Sequence, residues 1–334
     1  MGRSAMRRHD PRVSVVVPTR NEARNLEVVL PAIAAVRPAV HEVIVVDGHS
    51  VDGTVQTARR VLPWAKVITQ TRRGKGNAMA CGFAAATGDV LVMFDADGSA
   101  DPGEIPAFVA ALVAGADFAK GSRFVRGGGS EDITLLRRSG NAGLNAVANV
   151  LFGAGYTDLC YGYNAFWADV LPVLELPEVG VPAAGAGMVW GDGFEIETVL
   201  NCRVAAAGLR ITEVPSVERR RIFGETNLRT FVDGARVLRT LIAERRRADR
   251  RRAELLAAAR RHRNHPAPGH AQVAPRTPPS RPQPPRPMPP ARAPHGDRVL
   301  VPTPAAGFRA VPAEPDPQTM SRPPAPNRHP RHSG

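Results

Sequence analysis

The sequence predicts an α/β fold, a mostly parallel sheet flanked by helices, and three observations predict it. Residues 13–17, 43–46 and 90–94 are continuous apolar runs, the pattern of strands buried on both faces. Helix-compatible stretches at 22–36, 54–62 and 77–87 separate them, at the spacing of βαβ units. The segments that follow the strands, 18–22, 47–54 and 95–101, are polar and acidic. They lie where an open sheet binds its ligands, beyond the carboxyl ends of its strands.

The remaining elements follow in order. Residues 66–69 make a short strand, and 118–120 another that runs into Gly121-Ser122-Arg123. Gly127-Gly128-Gly129-Ser130 reads as a mobile loop, because glycine favours no single backbone conformation. A helix is expected over 141–152, with Asn141, Asn145 and Asn149 as a stripe on one face, packed against a polar loop. A polar and aromatic segment spans 156–167 and a glycine-rich loop 183–193. Residues 195–207 read as helix, 209–217 as strand, and 228 to about 263 as a long helix whose last part is almost wholly charged.

Charge and proline divide the chain. Residues 1–244 hold 26 Lys+Arg and 26 Asp+Glu, whereas 245–334 hold 18 and 5, which accounts for the whole net charge of +13. Of the 32 prolines, 21 lie between Pro266 and Pro330, a composition that argues for disorder there. The organisation read from this is an N-terminal extension (1–12), a neutral globular body (13–244), a basic helix (245–264) and a Pro/Arg-rich disordered tail (265–334). No apolar run is long enough to span a bilayer, and the basic N-terminus leads into a strand without a signal-peptide core. Cys81, Cys160 and Cys202 are too few and too scattered for a disulfide framework or a zinc site. A reduced, cytoplasmic setting is expected. The arginines of the basic helix suit the cytoplasmic face of a membrane better than nucleic acid, since aromatic residues for base stacking are missing.

The strongest motif is Asp95-Ala96-Asp97, directly after an apolar run. Two carboxylates one residue apart at a strand end can face one hard cation, Mg²⁺ or Mn²⁺, which keeps substrate phosphates in its shell. Alone, Asp-x-Asp would more often be a solvated turn. The preceding strand and the two companion acidic loops reverse that preference. Asp47 ends a buried strand, where a carboxylate needs a partner. Arg72-Arg73-Gly74-Lys75-Gly76-Asn77 joins cations to the start of a helix, which suits a pyrophosphate. It is neither a P-loop nor a dinucleotide fingerprint.

Together these segments resemble a family-2 inverting glycosyltransferase, nearest in pattern to the polyprenyl- and dolichyl-phosphate sugar transferases. The opening Val13-Ser14-Val15-Val16-Val17-Pro18-Thr19-Arg20-Asn21-Glu22, the stretch 42–54, Asp95-Ala96-Asp97, Lys120-Gly121-Ser122-Arg123 and the closing Arg221-Ile222-Phe223-Gly224-Glu225-Thr226-Asn227-Leu228 carry the likeness. Three departures stand out: Asp47-Gly48 replaces a pair of acids, Ser99 replaces a longer amide, and Thr226-Asn227 replaces Ser-Lys.

The resemblance implies a GT-A fold with a Rossmann-like sheet. It implies a nucleoside pocket lined by Pro18, Thr19, Glu22 and Asp47, with Lys75 and Asp95 contributing to nucleotide-sugar binding. Asp95 and Asp97 would hold the metal. Arg123, Arg221 and one of Arg137 or Arg138 would gather the phosphates of donor and acceptor. Asp192, Glu195 and Glu197 lie where the family keeps a general base, and Glu195 is taken for that role. A phosphate-bearing acceptor would need none. The expected reaction moves a sugar from a UDP- or GDP-linked donor, with inversion, to a phosphate-bearing acceptor, foremost polyprenyl phosphate. The rival readings are the same transfer to a soluble metabolite and a non-catalytic module acting through the basic tail.

Overall fold

The computed structural model describes residues 7–181, 188–224 and 230–264. The apolar runs become parallel strands: β1 (Val13–Thr19), β2 (Glu42–Asp47), β3 (Lys66–Thr69) and β4 (Val90–Met93). Between them run α1 (Ala23–Ala34), α2 (Thr54–Val61) and α3 (Lys75–Ala85). Then follow α4 (Ile105–Val113), β5 (Phe118–Ser122), β6 (Gly129–Ser130), α5 (Leu135–Phe152), β7 (Asn164–Trp167) and α6 (Leu171–Leu174). The chain ends in α7 (Ile196–Ala206), β8 (Ile211–Pro215), β9 (Val217–Glu218) and α8 (Thr230–Asn264).

Among the described residues one seven-stranded sheet runs in the order β3-β2-β1-β4-β7-β5-β8. Its register pairs Thr19 with Asp47 and Val16 with Met93, so the loops after β1, β2 and β4 emerge at one edge. Both faces are covered, and Val15, Val16, Val17, Ile44, Val45, Leu91 and Val92 are fully buried. Burial on two faces is why these strands read as unbroken apolar runs.

Four expectations need revision. First, β7 lies inside the polar and aromatic segment and pairs antiparallel with both β4 and β5. All four of its residues are buried, including Asn164, so the alternation that marks a half-exposed strand is missing. Second, α5 begins six residues earlier than expected, because the Thr134 hydroxyl accepts from Arg137 N at 3.3 Å and caps it. Third, the glycine run is not loop throughout: β6 pairs parallel with β9. Fourth, the basic stretch from 245, which continues the long helix α8 as expected, does not stand apart from the body. There Arg245 donates to the Leu151 carbonyl, and Arg247 and Arg251 pair with Glu175, so part of the basic stretch is docked on the body. Residues 183–187, Glu225 to Leu228 and the tail 265–334 lie outside the described residues. No helix among the described residues is long and apolar enough to cross a membrane.

One buried cation has a measurable consequence. Lys120, on β5, is fully buried and donates to the carbonyls of Tyr161 (2.6 Å) and Gly121 (3.0 Å). Burial, partly opposed by Asp158 and reinforced by Arg123, pushes its pKa down to about 8. Below that pH the ammonium is charged in folded and unfolded chains alike, and the burial cost is complete. As pH rises toward the ordinary lysine value the folded chain sheds its proton first, so this group's effect on stability becomes more favourable. In urea unfolding, wild type should gain on the order of 3 kcal/mol on Lys120→Met between pH 7.5 and 10.5. A difference independent of pH would contradict this assignment.

Candidate functional site

The strand ends build the site. Phe94 N donates to Val16 O at 3.0 Å, extending the β1–β4 ladder one residue and delivering Asp95-Ala96-Asp97 at the sheet edge. Gly98 turns the chain with φ +77°, a conformation that favours glycine. A Cβ there would also strike Ile222 Cδ1 at 2.4 Å. Asp97 Oδ1 accepts from both Ser99 N (3.0 Å) and Ser99 Oγ (2.8 Å). The short hydroxyl that replaces the longer amide therefore orients the second carboxylate.

Both carboxylates face cations of the chain. Lys75, in the first turn of α3, places Nζ 2.7 Å from Asp95 Oδ1 and 2.6 Å from Glu197 Oε1. Burial would lower its pKa, but the charges of Asp95 and Glu197 outweigh that and hold it well above the ordinary lysine value. Arg221 bridges Glu22 and Asp97, the latter at 3.4 Å, and its Nε donates to Phe223 O. The segment carrying it lies across the Asp97 loop, with Ile222 N donating to Asp97 O (3.1 Å) and Arg219 N to Ser99 O (2.8 Å).

Beside this network, a cavity of about 580 Å³ is lined by Arg20, Gly48, His49, Thr71, Arg72 and Arg73. It lies beyond the ends of β1, β2 and β3, but none of Pro18, Thr19, Glu22 and Asp47, the expected nucleoside contacts, lines it. Thr19 and Asp47 are buried at its strand ends. The Asp47 carboxylate takes its partner from its own loop, accepting from Ser50 N at 3.1 Å. Pro18 is half-buried on β1.

Several expected roles change. The α3 amides are no phosphate cradle: Gly76 N donates to Asp192 O (2.7 Å) and Asn77 N to the same oxygen (3.1 Å). Only glycine permits that approach, since a Cβ on Gly76 would lie 1.9 Å from Gly191 O. Asp192 is no base, being buried against Arg72. The Glu195 carboxylate turns back to accept from the amides of Gly191 (3.1 Å) and Gly193 (3.2 Å), so it holds its loop, and Glu197 is the acid that reaches Asp95's cation.

Arg123 is also committed. It grips the fully buried Asp158 through Nε (2.7 Å) and Nη2 (2.9 Å), and Glu218 through Nη1 (2.9 Å). Arg137 pairs with Asp132 at 3.4 Å, while exposed Arg138 stands over the Phe124 ring. The asparagine stripe is structural, as expected: Asn141 donates to Asp158, Asn145 to Thr157 O and Asn149 to Tyr156 O (2.8 Å). Asp158, Glu218 and Gly162, whose Cβ would sit 3.3 Å from both Asp95 and Glu197, are the site residues that motif reading missed, while Glu197 was named only among the candidate bases.

The donor set suits a hard divalent cation shared with a ligand. Glu22, Asp95, Asp97 and Glu197 against Lys75 and Arg221 leave the cluster at a formal −2. Among the described residues no three His, Cys, Asp or Glu side chains are grouped to hold an ion. Two carboxylate ligands with further positions left for phosphate oxygens match that chemistry.

Comparison with known proteins agrees with the geometry. The model described as "Glycosyl transferase family 2" matches residues 14–171. An undecaprenyl-phosphate mannosyltransferase of Micrococcus luteus is 33% identical over 236 residues, 68% of this chain and 91% of that protein. A polyprenol monophosphomannose synthase of Mycolicibacterium smegmatis is 32% identical over 225 residues, 65% of this chain and 81% of that one. Among solved structures, a glucosyl-3-phosphoglycerate synthase of Mycobacterium tuberculosis, in complex with Mn²⁺, UDP and phosphoglyceric acid, superposes with a TM-score of 0.54 at 23% identity. That match covers 70% of this chain and 78% of the other, and it places the sheet in the GT-A fold.

Proposed function

The chain belongs to glycosyl transferase family 2, and we propose that it moves a sugar from a nucleoside-diphosphate donor to polyprenyl phosphate with inversion at the anomeric carbon. The observation that carries this is the Asp95/Asp97 pair at the end of β4, paired with Lys75 and Arg221 beside a cavity of nucleoside size. The full-length polyprenyl-phosphate relatives support the acceptor.

An acceptor phosphate oxygen attacks the anomeric carbon from the face opposite the diphosphate. The new bond joins sugar to acceptor oxygen, and the bond to the donor's β-phosphate breaks. A divalent cation, when bound at Asp95 and Asp97, supplies positive charge to the leaving diphosphate. Lys75 and Arg221 add theirs, and arginine's fork suits two phosphate oxygens at once. Ser99 fixes the angle of Asp97, and Gly162 leaves room for the Asp95–Lys75–Glu197 contact. Exposed Arg138, beside Phe124, is the cation we assign to the acceptor phosphate. Arg123 serves by holding β5 to Asp158 and Glu218 rather than by meeting phosphate directly. Contact with anionic lipid belongs to the exposed arginines of α8, such as Arg250 and Arg252.

The test is transfer of labelled sugar from UDP- and GDP-linked donors to polyprenyl phosphate in detergent, with 3-phosphoglycerate as the rival acceptor. Product on the polyprenyl phosphate alone is expected, and transfer to the soluble acid alone would refute it. A second measurement separates acceptor chemistries. A phosphate monoester, with a second pKa of about 6, is already ionised and needs no base. Glu195→Gln should therefore keep kcat within about threefold. A loss of 10²-fold or more, the usual contribution of a general base, would instead point to a hydroxyl acceptor.

A further inference from the structure

The cations on Asp95 and Asp97 come from the chain itself. Lys75 Nζ lies 2.7 Å from one Asp95 oxygen and 2.9 Å from the other, so it covers both. The Lys75 side chain is 15% exposed, that of Asp95 35% and that of Glu197 11%, so water screens the contact to Glu197 little and reaches Asp95 from its open side. Arg221 takes Asp97 Oδ2, the oxygen that Ser99 leaves free. A divalent cation arriving alone must therefore either displace an ammonium and a guanidinium from their carboxylates or sit beside them as a third like charge. A diphosphate removes the conflict, because it gives both displaced cations an anionic partner.

We propose that Lys75 and Arg221 are positioning residues that hold the two carboxylates while the donor is absent and yield them only to a divalent cation and a nucleoside diphosphate arriving together. Cation and nucleotide then bind as a coupled pair, each raising the affinity of the other by the same factor. The mobile halves of the device differ. Lys75 sits on α3, whose start is locked to Asp192 and Gly193, so its response is a side-chain swing. Arg221 is carried on the segment held across the Asp97 loop by Ile222 N to Asp97 O and Arg219 N to Ser99 O, so its guanidinium can turn from Asp97 to a phosphate while those backbone bonds stay. The inference rests on the donor and cation reading proposed above and is independent of the acceptor assigned there.

The experiment is a titration of the full chain with Mn²⁺, read by the electron paramagnetic resonance signal of free Mn²⁺, alone and with saturating UDP or GDP. For wild type, Mn²⁺ alone should bind at least tenfold more weakly than with the nucleotide. Lys75→Met and Arg221→Gln should each tighten binding of Mn²⁺ alone by about three- to tenfold and shrink the coupling. Lys75→Arg, which keeps the charge, should behave as wild type. If Lys75→Met fails to fold because Glu197 loses its partner, Arg221→Gln decides the matter at the more exposed of the two pairs. A neutral variant that binds Mn²⁺ alone no more tightly than wild type, or no Mn²⁺ binding even with nucleotide, would overturn the proposal. Intact coupling in a chain that does not glycosylate polyprenyl phosphate would overturn only the acceptor assignment.

Discussion

Asp97→Ala is expected to lower turnover by about 10³-fold or more and to remove the metal dependence of nucleotide binding. The magnitude follows from the charge that leaves with the nucleoside diphosphate: a bound cation stabilises it by several kcal/mol, and about 4 kcal/mol corresponds to that rate loss. Asp97 is the better of the two carboxylates to remove. Its Oδ1 is already engaged by the Ser99 amide and hydroxyl, and among the described residues its Oδ2 faces Arg221, which keeps Glu22 as a partner, so its loss leaves no buried charge stranded. Asp95→Ala, by contrast, strips a partner from half-buried Lys75 and mixes a stability effect into the rate. Calorimetric titration with UDP and GDP, with and without Mn²⁺, gives the binding half. An Asp97→Ala protein that still binds nucleotide more tightly with Mn²⁺ would mean that the ion sits elsewhere.

The parts of this site that a sequence reveals are those whose physics is local. β1, β2 and β4 are legible because burial on both faces leaves an uninterrupted apolar run, and Asp95 and Asp97 because a strand end and its loop are adjacent in the chain. Lys75 was legible as a cation near the donor, but not as Asp95's partner. Arg123 shows the limit more sharply. Its motif is plain, yet the residue that takes up its guanidinium, Asp158, is 35 positions away in a segment with no periodicity. The α3 amides fail for the same reason. Their acceptors are carbonyls of Asp192 and Gly193, supplied by a distant loop, and backbone oxygens leave no mark in a sequence. The start of α5 is a different kind of miss. Thr134 is a recognisable cap, but the glycines on both sides of it pull a composition-based reading toward loop.

That distant loop carries the largest stability effect. Arg72 and Asp192 have side chains only 3% and 1% exposed, joined through two parallel bonds of 2.7 and 2.8 Å. Arg72 Nη1 also reaches the carbonyls of Glu178 (2.7 Å) and Val181 (2.8 Å), and Asp192 accepts from Val189 N (3.0 Å). Arg72→Leu would leave a buried carboxylate without its cation, which costs about 3–5 kcal/mol, a large share of the stability of an ordinary domain. Arg72→Lys should recover little, because a point charge cannot make the forked contact and both carbonyl contacts together. Arg72→Leu/Asp192→Leu should lie well above the single variant, since no charge then remains to be desolvated. Urea midpoints of the four proteins measure this directly, and a single variant within 1 kcal/mol of wild type would show that water reaches the pair. The functional cost is separate and larger than the midpoint suggests. Arg72 lines the cavity to which the nucleoside is assigned in our proposal, and the Asp192 carbonyl caps the helix that carries Lys75. Losing the pair therefore loosens both the cavity wall and the cation on Asp95, and nucleotide affinity should fall even under conditions where the chain remains folded.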